Sequence, residues 1–132
     1  EDAITAYGTA VDLSPKSGLM RIAYGHSLLE SKKKKNERMD EAIKQLSQAL
    51  VSERQMSQPH YLLAIAYGKQ GKEGLSRLHL AEEALMQNRR DFAKREASLA
   101  KASLKKGTPS YQRAEDILEL ATKNDKKAEK GD

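Results

Sequence analysis

The sequence predicts an all-α protein of about seven helices that stack as antiparallel hairpins. Charged residues make up 33% of the 132 positions and aromatic residues only 5%. The commonest residues are helix formers, and β-branched residues are few. A third observation is the stretch LLAIAYGKQG, in which Leu63, Ala64 and Tyr67 recur at helical spacing before Gly71 stops the run. The small Ala64 on this apolar face indicates that a neighbouring helix packs very close.

Helical periods and stop signals divide the chain into successive segments. Ala3 and Tyr7 set the period of the first segment, and Pro15 is taken as the start of the second. Later breaks are predicted at Gly71, at Asn88 and at KKGTPS, where Gly107 suits a left-handed cap, Thr108 an N-cap and Pro109 the first helical turn. The predicted helices are 2–13, 15–31, 37–54, 58–70, 73–87, 90–105 and 109–123. We expect one domain over 1–123 and a disordered tail over 124–132.

The helices carry a repeated arrangement of small and aromatic residues. Ser76, again small, follows Ala64 within a second amphipathic stretch, so the two stretches form a helical hairpin. This unit resembles the 34-residue tetratricopeptide repeat, with its W-x2-L-G-x2-Y and A-x3-F patterns. The resemblance implies a right-handed superhelix of hairpins. Its structural repeat positions are predicted to be Gly25, Ala42, Leu63, Ala64, Tyr67, Gly71, Ala81, Ala93 and Tyr111.

Two features of the array depart from a regular repeat. Ala3, Tyr7, Ala10 and Pro15 fit the second helix of a repeat whose first helix is missing, so the first repeat is interpreted as truncated. We expect the chain to be part of a longer protein, and we expect self-association through this incomplete repeat. The run KKKKNER, near residues 32–38, is interpreted as a five-residue insertion that emerges as a solvated loop.

Composition and motifs argue against chemistry within this chain. Cysteine is absent, and His26, His60 and His79 are too scattered for a metal site. Neither H-E-x-x-H, nor G-x-S-x-G, nor a phosphate-binding loop occurs in the sequence. The net charge of +5 owes much to the lysine run, which has no aromatic residues for base stacking. We therefore predict no enzyme activity, no cofactor and no nucleic-acid partner for this chain, although binding of nucleic acid through 32–35 is an alternative.

Such an array presents a concave wall made by the first helices of successive hairpins. The mixed apolar and polar residues expected there suit a peptide segment of another protein, or of another domain of the same protein. An alternative assigns some of them, above all Ile22, Leu62 and Leu99, to the core between helices. The predicted peptide-binding face comprises Leu19, Ile22, His26, Leu29, Gln58, Tyr61, Leu62, Ile65, Lys69, Phe92, Arg95 and Leu99.

The second half carries a narrower resemblance, centred on KKGTPSYQRAEDIL. This ending, with Gly107, Pro109, Tyr111, Arg113 and Asp116, is similar to the G-S-P-x-W-x-R-A-x-D-I pattern that closes a group of repeat domains. These are the C-terminal tetratricopeptide domains of bacterial periplasmic zinc metallopeptidases of the beta-barrel assembly-enhancing protease type. Threonine replaces serine and tyrosine replaces tryptophan in this chain. Within the resemblance, Tyr111 is expected to anchor the terminal helix on the preceding hairpin.

The resemblance implies a parent protease that acts in quality control of outer-membrane proteins. Its zinc and its H-E-x-x-H catalytic domain would lie outside these residues, so this chain would bind and position proteins without catalysis. The expected partners are substrate or partner proteins and the parent's own catalytic domain, and the expected location is the periplasm. The alternative is a stand-alone tetratricopeptide scaffold or adaptor without a protease, which could equally be cytoplasmic.

Overall fold

The computed structural model describes the backbone of residues 2–130 and the side chains of residues 3–123. Over that part the chain forms seven α-helices and no β-strand, which confirms the all-α prediction. No helix among these residues combines the length and apolarity needed to cross a membrane. The helices are α1 (Asp2–Leu13), α2 (Gly18–Glu30), α3 (Lys35–Ser52), α4 (Gln58–Lys69), α5 (Glu73–Met86), α6 (Arg90–Ser103) and α7 (Pro109–Lys130).

The predicted stop signals coincide with left-handed backbone conformations at the helix ends. Gly71 has φ +75°, Gly107 has φ +88°, and Asn88 adopts φ 59° without being glycine. Asparagine is one of the few residues that tolerate this region, because its side chain is short and polar. Thr108 caps α7 as predicted, since its Oγ1 accepts a hydrogen bond from the Tyr111 amide at 3.3 Å.

The two largest differences from the predicted helix ends lie in α2 and α7, and the other ends differ by at most two residues. α2 begins at Gly18 rather than at Pro15, because Ser17 is the N-cap and its side chain accepts a hydrogen bond from the Met20 amide at 3.2 Å. At the other end of the chain, α7 continues to Lys130, beyond the predicted end at residue 123. The predicted disordered tail covers residues 124–132. The side chains of these residues, and the backbone of 131 and 132, lie outside the described part of the chain. Disorder of this tail therefore stays a prediction.

The lysine run is only partly a loop, which corrects the sequence interpretation. Lys34 is the last residue before α3 and has a left-handed backbone (φ 48°), whereas Lys35 already belongs to the helix. Glu37 lies in the first turn of α3, where a carboxylate is favoured by the helix dipole. Arg38 donates a hydrogen bond back to the Ser31 hydroxyl at the end of α2. Most of the inserted residues therefore lengthen a helix.

The chain divides into two compact units, Glu1–Ala66 and Tyr67–Asp132, and the boundary falls within α4. In the first unit α1 packs on α2, and α2 forms a hairpin with α3. A Cβ atom built on Gly8 of α1 would lie 3.4 Å from the Tyr24 hydroxyl oxygen, so this position of α1 faces the Tyr24 side chain of α2. The buried apolar residues of this unit are Val11, Ile22, Leu28, Leu29, Ala42, Leu46, Ala49, Leu62, Leu63, Ala64 and Ala66.

In the second unit α5 and α6 form a hairpin, and α7 packs on both of them. Most fully buried members of its core are alanines, and larger partly buried side chains surround them. Small side chains of this kind allow helix axes to approach closely. The buried core consists of Leu78, Ala81, Ala84, Ala93, Ala97, Ala100, Ala114 and Ile117.

The hairpins α2–α3 and α5–α6 correspond position by position. The buried positions of α3 are Ala42, Gln45, Leu46 and Ala49, and those of α6 are Ala93, Glu96, Ala97 and Ala100, with identical spacing and an offset of 51 residues. Likewise Gly18, Ile22, Gly25 and Leu28 of α2 match Gly74, Leu78, Ala81 and Ala84 of α5. Each unit therefore repeats the same helical hairpin.

The correspondence extends to the third helix of each unit and locates the insertion. α4 begins at Gln58 and α7 at Pro109, again 51 residues apart. Gly25 and Ala42 are 17 positions apart, whereas the matching Ala81 and Ala93 are 12 apart. The first hairpin thus has five additional residues between these matching positions, as the sequence predicted. The extra residues enter mainly the first turn of α3.

Candidate binding surface

The predicted peptide-binding face is partly exposed and partly core in the first unit. Leu19 on α2 is 59% exposed, and Tyr61 on α4 is 47% exposed. His26 and Gln58 are also exposed, and Ile65 is half-buried. Ile22, Leu29 and Leu62, in contrast, are buried in the core of this unit and present no surface to a ligand. Their apolar character serves packing between helices, which was the alternative raised for Ile22 and Leu62.

In the second unit the predicted face carries both apolar and cationic groups. Leu99 on α6 is 41% exposed, so it does not belong to the core. The guanidinium groups of Arg89 and Arg95 lie 4.6 Å and 5.0 Å from the centre of the Phe92 ring. Such cation–π contacts hold both arginines over the aromatic face. Lys69, the remaining predicted residue, is exposed on α4.

The predicted structural positions lie at close contacts and turns. A Cβ atom built on Gly25 would lie 2.7 Å from Leu46 Cγ, so glycine is required where α3 presses on α2. Ala42, Leu63, Ala64, Ala81 and Ala93 are all buried, and Gly71 has the positive φ of a helix stop.

Both predicted aromatic positions contact a neighbouring side chain. Tyr67 stacks on His79 with ring centres 5.6 Å apart, and burial raises the pKa of Tyr67 above its ordinary value. Tyr111 lies 5.3 Å beneath the Lys101 ammonium group, a contact between α7 and α6. Lys101 Nζ also lies 3.4 Å from a carboxylate oxygen of Glu115 on α7. These contacts join α7 to α6, and an anchoring role of Tyr111 stays a prediction.

A pair of matching arginines was not singled out from the sequence. Arg21 on α2 and Arg77 on α5 each follow a glycine of the first helical turn by three residues, in GLMR and GLSR. Each reaches across to the buried polar residue of the facing helix, Gln45 on α3 or Glu96 on α6. The repeated Gly-Leu-x-Arg was the signal in the sequence that could have revealed the pair.

The ionic partners of the second unit are well defined. Arg77 Nη1 lies 2.8 Å from Glu96 Oε2, and its Nε lies 3.1 Å from Glu73. The hydrogen bond to Glu96, followed by that to Glu73, raises the pKa of Arg77 above its ordinary value. Arg113 on α7 donates two hydrogen bonds, of 2.7 Å and 2.8 Å, to the carboxylate of Glu82 on α5. This bidentate pair ties α7 to α5.

Within residues 3–123, the acidic and histidine side chains do not assemble into a metal site. Among the residues whose side chains are described, no group of three or more His, Cys, Asp or Glu could hold a metal ion. Glu83 is a single carboxylate whose pKa is raised by burial, an effect that Arg89 partly offsets.

Comparison of the chain with protein-family models, with curated proteins and with solved structures gave no match. The resemblance to tetratricopeptide repeats and to the periplasmic metallopeptidases therefore rests on the sequence motifs alone.

Proposed function

We propose that this chain is a helical-repeat module that binds a segment of another protein. The observation that carries the proposal is the exposure of large apolar side chains, Leu19 and Tyr61 in one unit and Leu99 in the other, at positions the repeat pattern assigns to a binding face. Exposed apolar side chains on a helical scaffold suit an extended or helical peptide. Substrate or partner proteins and a catalytic domain of the same protein are the proposed ligands.

The repeat geometry supports a tetratricopeptide-like arrangement as the proposed architecture. A tetratricopeptide repeat has 34 residues in two helices, so three helices correspond to about 51 residues. The offset that relates α3 to α6, and α4 to α7, is also 51. The close contact of Gly25 with Leu46 adds the tight helix crossing that such hairpins require. A right-handed superhelix is the architecture proposed on these grounds.

Binding is tested with fluorescent peptides that tile candidate partner proteins. Leu19→Asp, Tyr61→Asp and Leu99→Asp should each weaken peptide binding about tenfold, because a carboxylate replaces an apolar contact. Leu120→Asp is the matched control, since Leu120 is 41% exposed, as is Leu99, but lies outside the predicted face. Equal loss in the control, or no loss in the three variants, would contradict the assignment of the face.

The parent protein is proposed to be a periplasmic zinc metallopeptidase, with its zinc held by a catalytic domain other than this chain. This part of the proposal rests on the ending GTPSYQRAEDI. It is tested by the coding sequence upstream of Glu1, which should encode an H-E-x-x-H helix. A start codon a few codons upstream would instead identify a stand-alone scaffold. Self-association through α1 is a separate prediction, which light scattering on the purified chain tests.

A further inference from the structure

The guanidinium group of Arg21 is held in place by neutral oxygen atoms. Nε and Nη2 donate to the carbonyl oxygen of Pro15 at 3.2 Å and 2.8 Å. Nη1 donates to Gln45 Oε1 at 2.6 Å and to Gln48 Oε1 at 2.7 Å. These bonds engage four of the five N–H groups of an arginine and leave one N–H on Nη2. The group is fixed without a carboxylate among these acceptors.

The second unit shows how the same position is neutralised. Arg77, which corresponds to Arg21, pairs with Glu96, whose side chain is only 7% exposed. The residue that corresponds to Glu96 in the first unit is Gln45, an amide without charge. A carboxylate joins the Arg21 network only through that amide, because Gln45 Nε2 donates to Glu41 Oε1 at 2.9 Å. The repeat thus retains the cation and replaces its direct counter-ion.

Arg21 lines a surface pocket with a volume of about 530 Å³. Both charged residues of its lining, Lys16 and Arg21, are basic. Its apolar lining includes Val51, which is 71% exposed at the end of α3. Except for Arg21, which is half-buried, the lining residues are exposed, so the pocket is open to solvent. Pro15, Gln48 and Ser52 complete the lining.

An acidic group also lies near one end of this region. Glu53 follows the pocket residue Ser52, and its Oε1 would lie 3.0 Å from a Cβ atom on Gly18. The hydrogen bonds of Arg21 do not include Glu53. Glu53 therefore adds negative charge at the start of α2 without directly neutralising the guanidinium group.

We propose that this pocket binds an aspartate or glutamate side chain of a peptide segment that carries an aliphatic residue next to it. The carboxylate accepts from the remaining Nη2 N–H and replaces the exposed Gln48 amide on Nη1, while the aliphatic neighbour packs on Val51. Because Pro15 and Gln45 already orient the guanidinium group, binding costs little additional ordering. The inference rests on the proposed function, since it specifies the chemistry of the bound peptide.

The test uses the whole chain and three fluorescein-labelled peptides at about 50 mM salt, where electrostatic attraction is weakly screened. The first is Gly-Leu-Glu-Leu-Gly with an amidated C-terminus, and the second replaces Glu with Gln. The third is the Gln peptide with a free C-terminal carboxylate. Fluorescence anisotropy should show the Glu peptide bound about tenfold more tightly than the amidated Gln peptide, as a charge-assisted hydrogen bond implies.

The decisive variant is Gln45→Glu, which supplies the direct counter-ion that the second unit has. It should abolish the preference for the Glu peptide, and a thermal melt in the same buffer verifies that the variant is folded. Arg21→Gln should abolish the preference by removing the cation. Glu96→Gln is the matched control in the second unit, and it should leave the preference unchanged.

Each contrary result has a distinct meaning. Equal binding of the Glu and Gln peptides by the unmodified chain, or a preference that persists in both first-unit variants, overturns the inference but leaves the proposed function intact. Equal binding of the free-carboxylate peptide overturns the assignment to an internal acidic side chain. If none of the three peptides binds, the inference fails, whereas the proposed function is decided separately by the tiled peptides and the Leu19, Tyr61 and Leu99 variants.

Discussion

The two hairpins share one pattern of buried positions but fill it differently. In α2–α3, Gly25 on one helix leaves room for Leu46 on the other, a large side chain that is fully buried. The matching residues of α5–α6 are Ala81 and Ala97, both small and both fully buried. The first hairpin thus combines a glycine with a leucine where the second combines two alanines, and in both at least one small residue stands at the contact.

The largest effect is expected where the first hairpin depends on one large side chain. Leu46→Ala removes a fully buried side chain and leaves a cavity beside Gly25, which should cost about 2–5 kcal/mol of unfolding free energy. Urea unfolding monitored by the helical circular dichroism signal measures this cost. Ala49→Gly, a smaller change in the same helix, should cost about 1 kcal/mol and serves as control. A cost for Leu46→Ala below that of the control would contradict the comparison.

The second prediction exchanges the packing of the two hairpins. In the single variant Gly25→Ala, the new methyl carbon would lie 2.7 Å from Leu46 Cγ. This close contact should lower the unfolding free energy by about 1–3 kcal/mol. Combined with Leu46→Ala, it reproduces the pair Ala81 and Ala97 of the second unit. The double variant should then be more stable than the sum of the two single costs predicts, by about 1 kcal/mol or more in a double-mutant cycle. Strictly additive costs would show that the two residues do not share one packing volume.

A third prediction compares Gly18 and Gly74, the matching glycines in the first turns of α2 and α5. A Cβ on Gly74 would meet Leu104 Cδ2 at 2.8 Å and the Ser103 backbone carbon at 3.2 Å, whereas the nearest atoms to a Cβ on Gly18 are side-chain atoms of Ser52 and Glu53, the closest at 2.4 Å. Ser52 and Glu53 lie at the end of α3 and can change rotamer, whereas backbone cannot move aside in this way. Gly74→Ala should therefore cost about 1–2 kcal/mol, and Gly18→Ala less than about 1 kcal/mol.

Native-state hydrogen exchange is the suitable measurement for this pair, since it reports the stability of each unit separately. Protection should fall in the second unit for Gly74→Ala and stay nearly constant in the first unit for Gly18→Ala. The reverse order of effects would contradict the distinction between backbone and side-chain contacts.

The smallest effect concerns a carboxylate that only the second hairpin carries. Burial raises the pKa of Glu83 above its ordinary value of 4.5, and the matching residue of the first hairpin is the uncharged Ser27. A raised folded-state pKa means that folding favours the protonated form of Glu83. The stability that this group contributes to the folded chain is therefore fully present below the unfolded-state pKa and is lost as pH rises through the folded-state pKa. Glu83→Gln should therefore stabilise the chain by less than about 0.5 kcal/mol at pH 7 and have no effect near pH 3.

Thermal melts of Glu83→Gln and the unmodified chain at the two pH values test this sign. Glu119→Gln on the exposed surface of α7 serves as control, since it loses only the ion pair with Lys123 and should therefore not raise the melting temperature at either pH. A destabilised Glu83→Gln at pH 7 would mean that attraction to Arg89 outweighs burial.

The helices and their stops could be predicted from the sequence because local chemistry determines them. Gly71 and Gly107 adopt positive φ, and Thr108 caps α7, since each of these residues has few alternatives in such a turn. The start of α2 was predicted wrongly because Pro15 and Ser17 are both acceptable near a helix start. Only the geometry decides that the serine hydroxyl accepts the Met20 amide.

Exposure of the predicted face could not be derived from periodicity alone. Ile22 and Leu19 are both apolar residues of α2, yet one is buried and the other is 59% exposed, because α3 covers only one side of the helix. The contact of Arg21 with Gln45 depends on residues 24 positions apart and therefore on the hairpin crossing. Such pairings follow from tertiary packing, which local patterns do not encode.

The start of α3 brings Lys34, the N-cap, and Lys35, the first helical residue, to the positive end of the helix dipole. Lys34 has a left-handed backbone, and its side chain makes no capping hydrogen bond. Only Glu37 opposes this unfavourable arrangement. Positive charges at the N-terminal end of a helix interact unfavourably with the helix dipole, so we expect α3 to unwind first from this end. Trypsin cuts after lysine, so within residues 3–123 we expect an early cut in a limited digest of the folded protein at Lys32, Lys33 or Lys34, in the segment between α2 and α3.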